Sequence, residues 1–119
     1  MNRVPIVRRL LCLLLLGTAG AALAAPAARM GSVTNHGGQI AAGSTNVLIA
    51  GVPAARVGDF VNCPSQCGPG IPHVGGPIVT GSTTVLINGQ SAARIGSLVS
   101  ESCDVGTVSS GAPTVDIGG

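Results

Sequence analysis

The chain has 119 residues, which limits it to one small domain. Only 8% of the residues are charged, lysine, tryptophan and tyrosine are absent, and Phe60 is the only aromatic residue. Surfaces that bind nucleic acids need clustered cations and stacking rings, so the composition excludes a nucleic-acid partner.

The N-terminus has the layout of a secretory signal peptide. Three arginines lie within residues 1–9, an apolar run follows over residues 10–16, and Ala22-Leu23-Ala24 has the small-x-small pattern of a cleavage site. We therefore predict a signal peptide or hydrophobic leader over residues 1–24 and a folded domain over residues 25–119, without stable membrane insertion once the leader is removed. An uncleaved anchor, or a native start nearer Ala25, stays open.

The remainder of the chain is predicted to be all-β. From Pro26 onward the apolar residues form short runs. Residues 47–49 and 85–87 are both Val-Leu-Ile, which is rich in β-branched residues. Asn88-Gly89 favours a type I′ turn, because both central positions of that turn need positive φ. Ala50-Gly51 occupies the same place one repeat earlier. Each unit is thus predicted to be a strand, a tight turn and a returning strand, which in the later copy is residues 92–96.

A short motif occurs three times. Ala-Ala-Arg stands at residues 27–29, 54–56 and 92–94, each time followed by one apolar residue, glycine, and serine or aspartate. A related block closes the chain at residues 111–118. Because only small residues can approach one another where equivalent strands converge, the alanines predict a pseudo-threefold axis. The three arginines are predicted to be architectural, bonding backbone carbonyls between repeats.

Each repeat also offers one metal-binding side chain after its arginine. His36 follows Arg29 by seven residues, Cys63 follows Arg56 by seven, and Cys103 follows Arg94 by nine. A fourth candidate, His73, lies in the long insert of the second repeat. Cys67 is the rival of Cys63, whose spacing matches that of His36.

The motifs resemble those of PAAR-repeat proteins, which cap the spike of type VI secretion systems. The resemblance rests on Pro-Ala-Ala-Arg-Val-Gly-Asp at 53–59, on Gly-Ser-x-x-Val-Leu-Ile-x-Gly at 43–51 and 81–89, and on Pro-His-Val-Gly-Gly at 72–76. It implies a small β-cone of three pseudo-threefold hairpin repeats. Its base would sit on the trimeric VgrG-type spike protein, its point would carry zinc, and it can link effector proteins to the spike.

With this resemblance, the predicted zinc ligands are His36, Cys63, His73 and Cys103. Two histidines and two cysteines make a closed tetrahedral site, which is structural and exposes no activated water. We therefore predict that the chain is not an enzyme. Family members usually present three histidines and one cysteine, so the second cysteine is a departure. The alternative is a disulfide, either Cys63 with Cys67 or Cys67 with Cys103.

The leader conflicts with the implied role. A spike tip is loaded in the cytoplasm, whereas a signal peptide would export the chain to the periplasm. The protein is thus predicted to be secreted through the type VI apparatus, or to be periplasmic if the leader is cleaved. A leader that is held by a chaperone is a further possibility. The alternative function is an exported periplasmic or surface metal-binding β protein that keeps the fold but not the spike partner.

Overall fold

The structure, a computed structural model, describes residues 23–119, so the predicted leader lies almost wholly outside the described residues. This part of the chain is all-β, as predicted, and no helix within it is able to cross a membrane. Its short strands are β1 (Ala25–Ala27), β2 (Gln39–Ile40), β3 (Leu48–Ile49), β4 (Val52–Pro53), β5 (Phe60–Asn62), β6 (Gln66–Gly68), β7 (Ile71–Pro72), β8 (Gly76–Pro77), β9 (Leu86–Ile87), β10 (Gln90–Ser91), β11 (Leu98–Ser100), β12 (Val105–Thr107) and β13 (Ala112–Ile117).

Two of the hairpins have the predicted tight turn. In β9–β10, Ile87 pairs with Gln90, and the turn residues Asn88 and Gly89 have φ values of 53° and 80°. In β3–β4 the corresponding turn residues, Ala50 and Gly51, have φ values of 50° and 80°. Positive φ at both central positions defines the type I′ turn, so the predicted hairpin geometry is confirmed.

The third hairpin is built from the two ends of the described chain. Strand β1 pairs antiparallel with β13, and Ala25 faces Ile117 in the register. The guanidinium of Arg94 donates to the carbonyl oxygens of Ile117 at 3.2 Å and Leu23 at 2.6 Å. The related block at residues 111–118 therefore supplies one strand of this hairpin. The residues before and at the start of the first motif supply the other.

The three alanine motifs meet in a closed ring of backbone hydrogen bonds. Ala28 N donates to Ala93 O at 2.9 Å, Ala93 N to Ala55 O at 3.0 Å, and Ala55 N to Ala28 O at 3.1 Å. All three residues are completely buried. The predicted pseudo-threefold axis is confirmed. The predicted returning strand over residues 92–96 is wrong, because β10 ends at Ser91 and the alanines leave the hairpin to reach the axis.

Two apolar layers surround this axis. The hairpin layer contains one buried isoleucine from each hairpin, Ile49, Ile87 and Ile117, packed with the first alanine of each motif. The middle layer contains the ring alanines and five buried apolar residues in or directly after the strands that follow them, Ile40, Val61, Ile78, Val99 and Val108. Along each repeat the chain therefore runs from hairpin to axis to middle layer.

The arginine of each motif bonds to one of the three hairpins. Arg29 Nη1 donates to the carbonyl oxygens of Ile49 and Ala50, at 3.3 and 3.4 Å. Arg56 Nη1 donates instead to Oδ1 of Asn88, the residue equivalent to Ala50, at 3.0 Å. Bonding to carbonyls is thus observed for Arg29 and Arg94, whereas Arg56 contacts side chains. Its bonds to Asp59 raise the pKa of Arg56 further above its already high value.

We predict that Ala55→Val destabilises the fold. Ala55 is completely buried in the hydrogen-bonded ring, so two added methyl groups have no room and overpack the axis by about 1–3 kcal/mol. For a domain of this size, each 1 kcal/mol lowers Tm by about 4–8 °C in a thermal melt followed by circular dichroism. The control is Ala41→Val at an exposed position, which should stay within about 0.5 kcal/mol. Equal melting of the two variants would show that the axis is not tightly packed.

Candidate metal centre

Four side chains with possible metal-binding atoms lie beyond the middle layer, on the side away from the three hairpins. His36 precedes β2, Cys63 directly follows β5, His73 directly follows β7 and Glu101 directly follows β11. The strands that end just before Cys63 and Glu101 also contribute to the middle layer, through Val61 and Val99, which lie two residues earlier in the sequence. The same strands that form the core therefore deliver the polar groups to one place.

Glu101 lies at the centre of this group. Its Oε2 atom is 2.9 Å from His36 Nδ1 and 2.8 Å from His73 Nε2. One ligand atom from each of the three residues lies within 4.8 Å of the others, so they form a group that can hold a metal ion. The side chain of Glu101 is fully shielded from solvent, whereas that of His36 is 24% exposed.

Cys63 adds a sulfur to the opposite side of His73. Its Sγ atom lies 3.0 Å from His73 Nδ1, and it is the free cysteine of the described residues. Sγ also approaches the carbonyl oxygen of His36 at 3.7 Å, and Ser65 Oγ donates to the same oxygen at 2.8 Å. Of the four predicted ligands, His36 and His73 are therefore brought together with Glu101, whereas Cys63 contacts the other ring nitrogen of His73 and lies outside this group of three.

The fourth predicted ligand, Cys103, departs from the prediction. Its sulfur is bonded to that of Cys67 in a disulfide, with a Cα–Cα distance of 5.9 Å. A disulfide sulfur carries no thiolate charge, and the thiolate is the form that binds metals. Cys103 is therefore not available as a ligand in this structure, and Cys67 is not available as the rival of Cys63. One of the two disulfides weighed in the sequence analysis is the one that forms.

Glu101 was missed, although a signal for it exists in the sequence. It follows Arg94 by seven residues, the same interval that separates Arg29 from His36 and Arg56 from Cys63. The three residues thus occupy equivalent positions in the three repeats, and His73 is the one that the insert adds. The prediction placed the ligand of the third repeat at Cys103, nine residues after Arg94, and did not include Glu101.

The buried polar atoms of this group leave donors and acceptors unused. Within residues 23–119, His73 Nε2 and Glu101 Oε1 have no hydrogen-bond partner. The short distance from His73 Nε2 to Glu101 Oε2 does not change this, because the direction of approach does not meet hydrogen-bond geometry. An unsatisfied buried polar group costs about 1–3 kcal/mol. Coordination of a metal ion would remove that cost, so the donors present fit a bound metal.

Two glycines on neighbouring strands approach Glu101 and the residue before it very closely. A Cβ atom on Gly76 in β8 would overlap the backbone carbonyl of Ser100, the residue before Glu101. A Cβ on Gly106 in β12 would lie 2.6 Å from Glu101 Oε1. Glycine at both positions therefore allows the backbones to close around the carboxylate.

We predict that Gly76→Ala disrupts this centre. The added methyl group meets backbone atoms that cannot rotate away, so β8 and β11 must separate, at a cost of about 1–3 kcal/mol or more. The matched control is Gly68→Ala, where the new Cβ would lie 3.8 Å from Ile71 Cδ1, an ordinary contact. Urea unfolding of both variants measures the difference. A Gly76→Ala variant as stable as the control would contradict the close approach.

Comparison with known proteins gives a family. A family model described as "PAAR motif" matches the chain twice, over residues 30–71 and 68–119, and these ranges contain all four members of the polar group. No curated protein matches the chain. The two matches together cover most of the sequence, and the threefold ring of Ala-Ala-Arg motifs agrees with them. The chain therefore belongs to the PAAR-motif family, the family of type VI secretion spike tips.

Proposed function

We propose that the chain is a zinc-stabilised, non-enzymatic tip protein that caps and sharpens the trimeric VgrG-type spike of a type VI secretion system. The family supports a role associated with the spike tip. The observation that carries the proposal is the pair of apolar layers about one pseudo-threefold axis, one formed by the three hairpins and the other by strands that lead to the metal donors. Each end suits one part of the role.

At the donor end, zinc would be held by His36, His73 and Glu101, whose ligand atoms lie within 4.8 Å of one another, and Cys63 would complete the set once its sulfur turns from His73 Nδ1 toward the ion. Nitrogen, sulfur and carboxylate oxygen are all common zinc ligands, and four protein ligands leave no open position. The ion would tie together loops that extend beyond the middle layer and have no core of their own. A closed site exposes no activated water, so the proposed role of the metal is structural and the protein is not an enzyme.

At the hairpin end, three equivalent units would meet the three subunits of the spike. Leu48 and Leu86 occupy equivalent positions in β3 and β9 and are 58% and 63% exposed. The equivalent position in the third hairpin is Asp116, opposite Pro26. Exposed leucines on two of three hairpins offer apolar contacts to the partner. Effectors would be carried on the remaining surface, and no nucleic-acid partner is proposed.

The disulfide favours a second candidate function. Disulfides persist in oxidising compartments and are rare in the cytosol. The bond between Cys67 and Cys103, with the signal-like leader over residues 1–24, supports a periplasmic or surface metal-binding β protein that keeps the fold without the spike partner. In that case the leader would be cleaved before Ala25 and the domain would comprise residues 25–119. In the spike-tip role the chain would leave the cell through the secretion apparatus.

We expect Glu101→Gln to abolish stoichiometric zinc binding in the chain with its disulfide intact. The amide keeps the shape but loses the charge of the fully buried carboxylate. Loss of an outer-shell partner already lowers metal affinity by about 10–100-fold, so loss of a direct ligand should cost at least as much. The control is Asp104→Asn, which alters an exposed carboxylate 3.5 Å from His36 Nε2. Zinc per chain, measured by atomic emission after dialysis against a weak chelator, should fall only in the first variant. Full zinc content in Glu101→Gln would exclude Glu101 as a ligand.

We expect Leu86→Asp to weaken co-purification with a trimeric VgrG-type spike by at least about tenfold, the loss of a central apolar contact. The control is Leu98→Asp, which places the same charge on β11 outside the hairpin layer and at 39% exposure. Binding of both variants as strong as that of the wild type would reject the hairpin end as the docking surface. A wild-type chain that binds no such spike, and whose leader is cleaved on export, would support the second function.

A further inference from the structure

The disulfide lies beside the candidate metal centre. One cavity of about 320 Å³ is lined by residues of both, namely His36, Ser65, Gln66, Cys67, His73, Cys103 and Asp104. The two sulfur atoms therefore belong to residues that share a cavity with both histidines. Cys67 also lies between Cys63 and His73 in the sequence, so the disulfide connects the segment with these two donors to the segment that carries Glu101.

The turn over residues 101–104 approaches both ring nitrogens of His36. The turn is closed by a bond from Glu101 N to Asp104 O at 3.0 Å. Glu101 Oε2 lies 2.9 Å from Nδ1 of His36, and Asp104 Oδ2 lies 3.5 Å from Nε2. Cys103 stands between these two carboxylates in the sequence. A thiol at Cys103 is therefore carried by a turn that already reaches the imidazole from both sides.

We propose that the metal centre has two ligand sets, selected by the redox state of Cys67 and Cys103. With the disulfide formed, the donors are His36, Cys63, His73 and Glu101. With the disulfide reduced, the thiolate of Cys103 replaces the carboxylate of Glu101. This inference rests on the proposed metal binding and goes beyond it, because it makes the identity of one ligand depend on the compartment.

The reduction is a two-electron step supplied by an external dithiol. Thiolate attack breaks the S–S bond, the sulfurs of Cys67 and Cys103 gain two electrons and two protons, and the dithiol becomes a disulfide. The metal ion keeps its oxidation state. Binding of Cys103 to the metal then releases the thiol proton, and Glu101 leaves the metal as a carboxylate.

The preference for cysteine in the reduced state follows from ligand chemistry. Thiolates are softer donors than carboxylates and favour zinc over harder cations. The exchange also stays local, since Glu101 and Cys103 are two residues apart in one turn. Cys67 is the less suitable donor because it lies on the β6–β7 hairpin rather than on the turn that approaches His36. The reduced centre would thus have the ligand set of His36, Cys63, His73 and Cys103.

The test uses cobalt(II) in place of zinc in the full-length chain, because thiolate-to-cobalt charge-transfer absorption counts bound thiolates. The protein is loaded with the disulfide intact, and in parallel after reduction by a phosphine, which is not a thiol and is removed before loading under nitrogen. We expect the charge-transfer band per bound cobalt to rise about twofold on reduction, because one thiolate becomes two. We also expect Glu101→Gln to lower cobalt affinity in the oxidised chain and to leave it nearly unchanged in the reduced chain.

Two serine variants make the test specific, since each removes the disulfide and leaves one of its cysteines. Cys67→Ser should show the two-thiolate band without reductant, and Cys103→Ser should keep the one-thiolate band in both conditions. A wild-type band that does not change on reduction would overturn the two ligand sets and leave the metal site standing. A two-thiolate band in Cys103→Ser would assign the second thiolate to Cys67 and overturn the role of Cys103. Absence of cobalt uptake in every state would instead remove the proposed metal site itself.

Discussion

The ring of three backbone hydrogen bonds among Ala28, Ala55 and Ala93 is the constraint on which the structure depends. A closed cycle of amide bonds at the axis brings three chain segments to within van der Waals distance of one another, and only residues without a larger side chain can be accommodated there. Because each alanine donates to one neighbour and accepts from the other, no backbone group at the axis is left unpaired. The hairpins and the strands of the middle layer are then fixed in direction on either side of this ring, which is how so few apolar residues produce an ordered domain.

The three repeats resemble one another more closely in their backbone than in their side chains. In each repeat the backbone nitrogen of the arginine donates a hydrogen bond to a side chain three residues later. The acceptor is Ser32 at 3.1 Å in the first repeat, Asp59 at 2.8 Å in the second and Ser97 at 3.0 Å in the third. The same backbone conformation thus tolerates a hydroxyl or a carboxylate. Only the aspartate also binds its arginine side chain, as an ion pair of 3.0 Å. Repeats of this kind can therefore diverge in charge at the surface while the axis keeps its geometry.

Much of this fold could be predicted from the sequence, because its strongest constraints are local. Asn88-Gly89 specifies its turn through backbone sterics, and the triplicated Ala-Ala-Arg specifies the axis through size. The closing of the third hairpin by β1 and β13 could not be predicted in this way, because the pairing joins residues about 90 positions apart and has no turn sequence. The choice between Glu101 and Cys103 was equally beyond spacing alone. It depends on whether Cys103 meets Cys67, a contact that only the folded loops determine.

The donor end shows why a cross-link is needed there. Beyond Val61 and Val99 the loops place His73 and Glu101 where other domains place apolar side chains, and these two buried groups have part of their bonding capacity unused. Hydrophobic burial does little to order this region, since its larger apolar side chains, Ile71, Val74 and Val105, stay more than half exposed to water. The disulfide restrains two of the loops by covalent bonding, and a metal ion would restrain the loops of all three repeats by coordination. Both restraints would act on the same short turn at Glu101 and Cys103, so a change in one would alter the geometry that is available to the other.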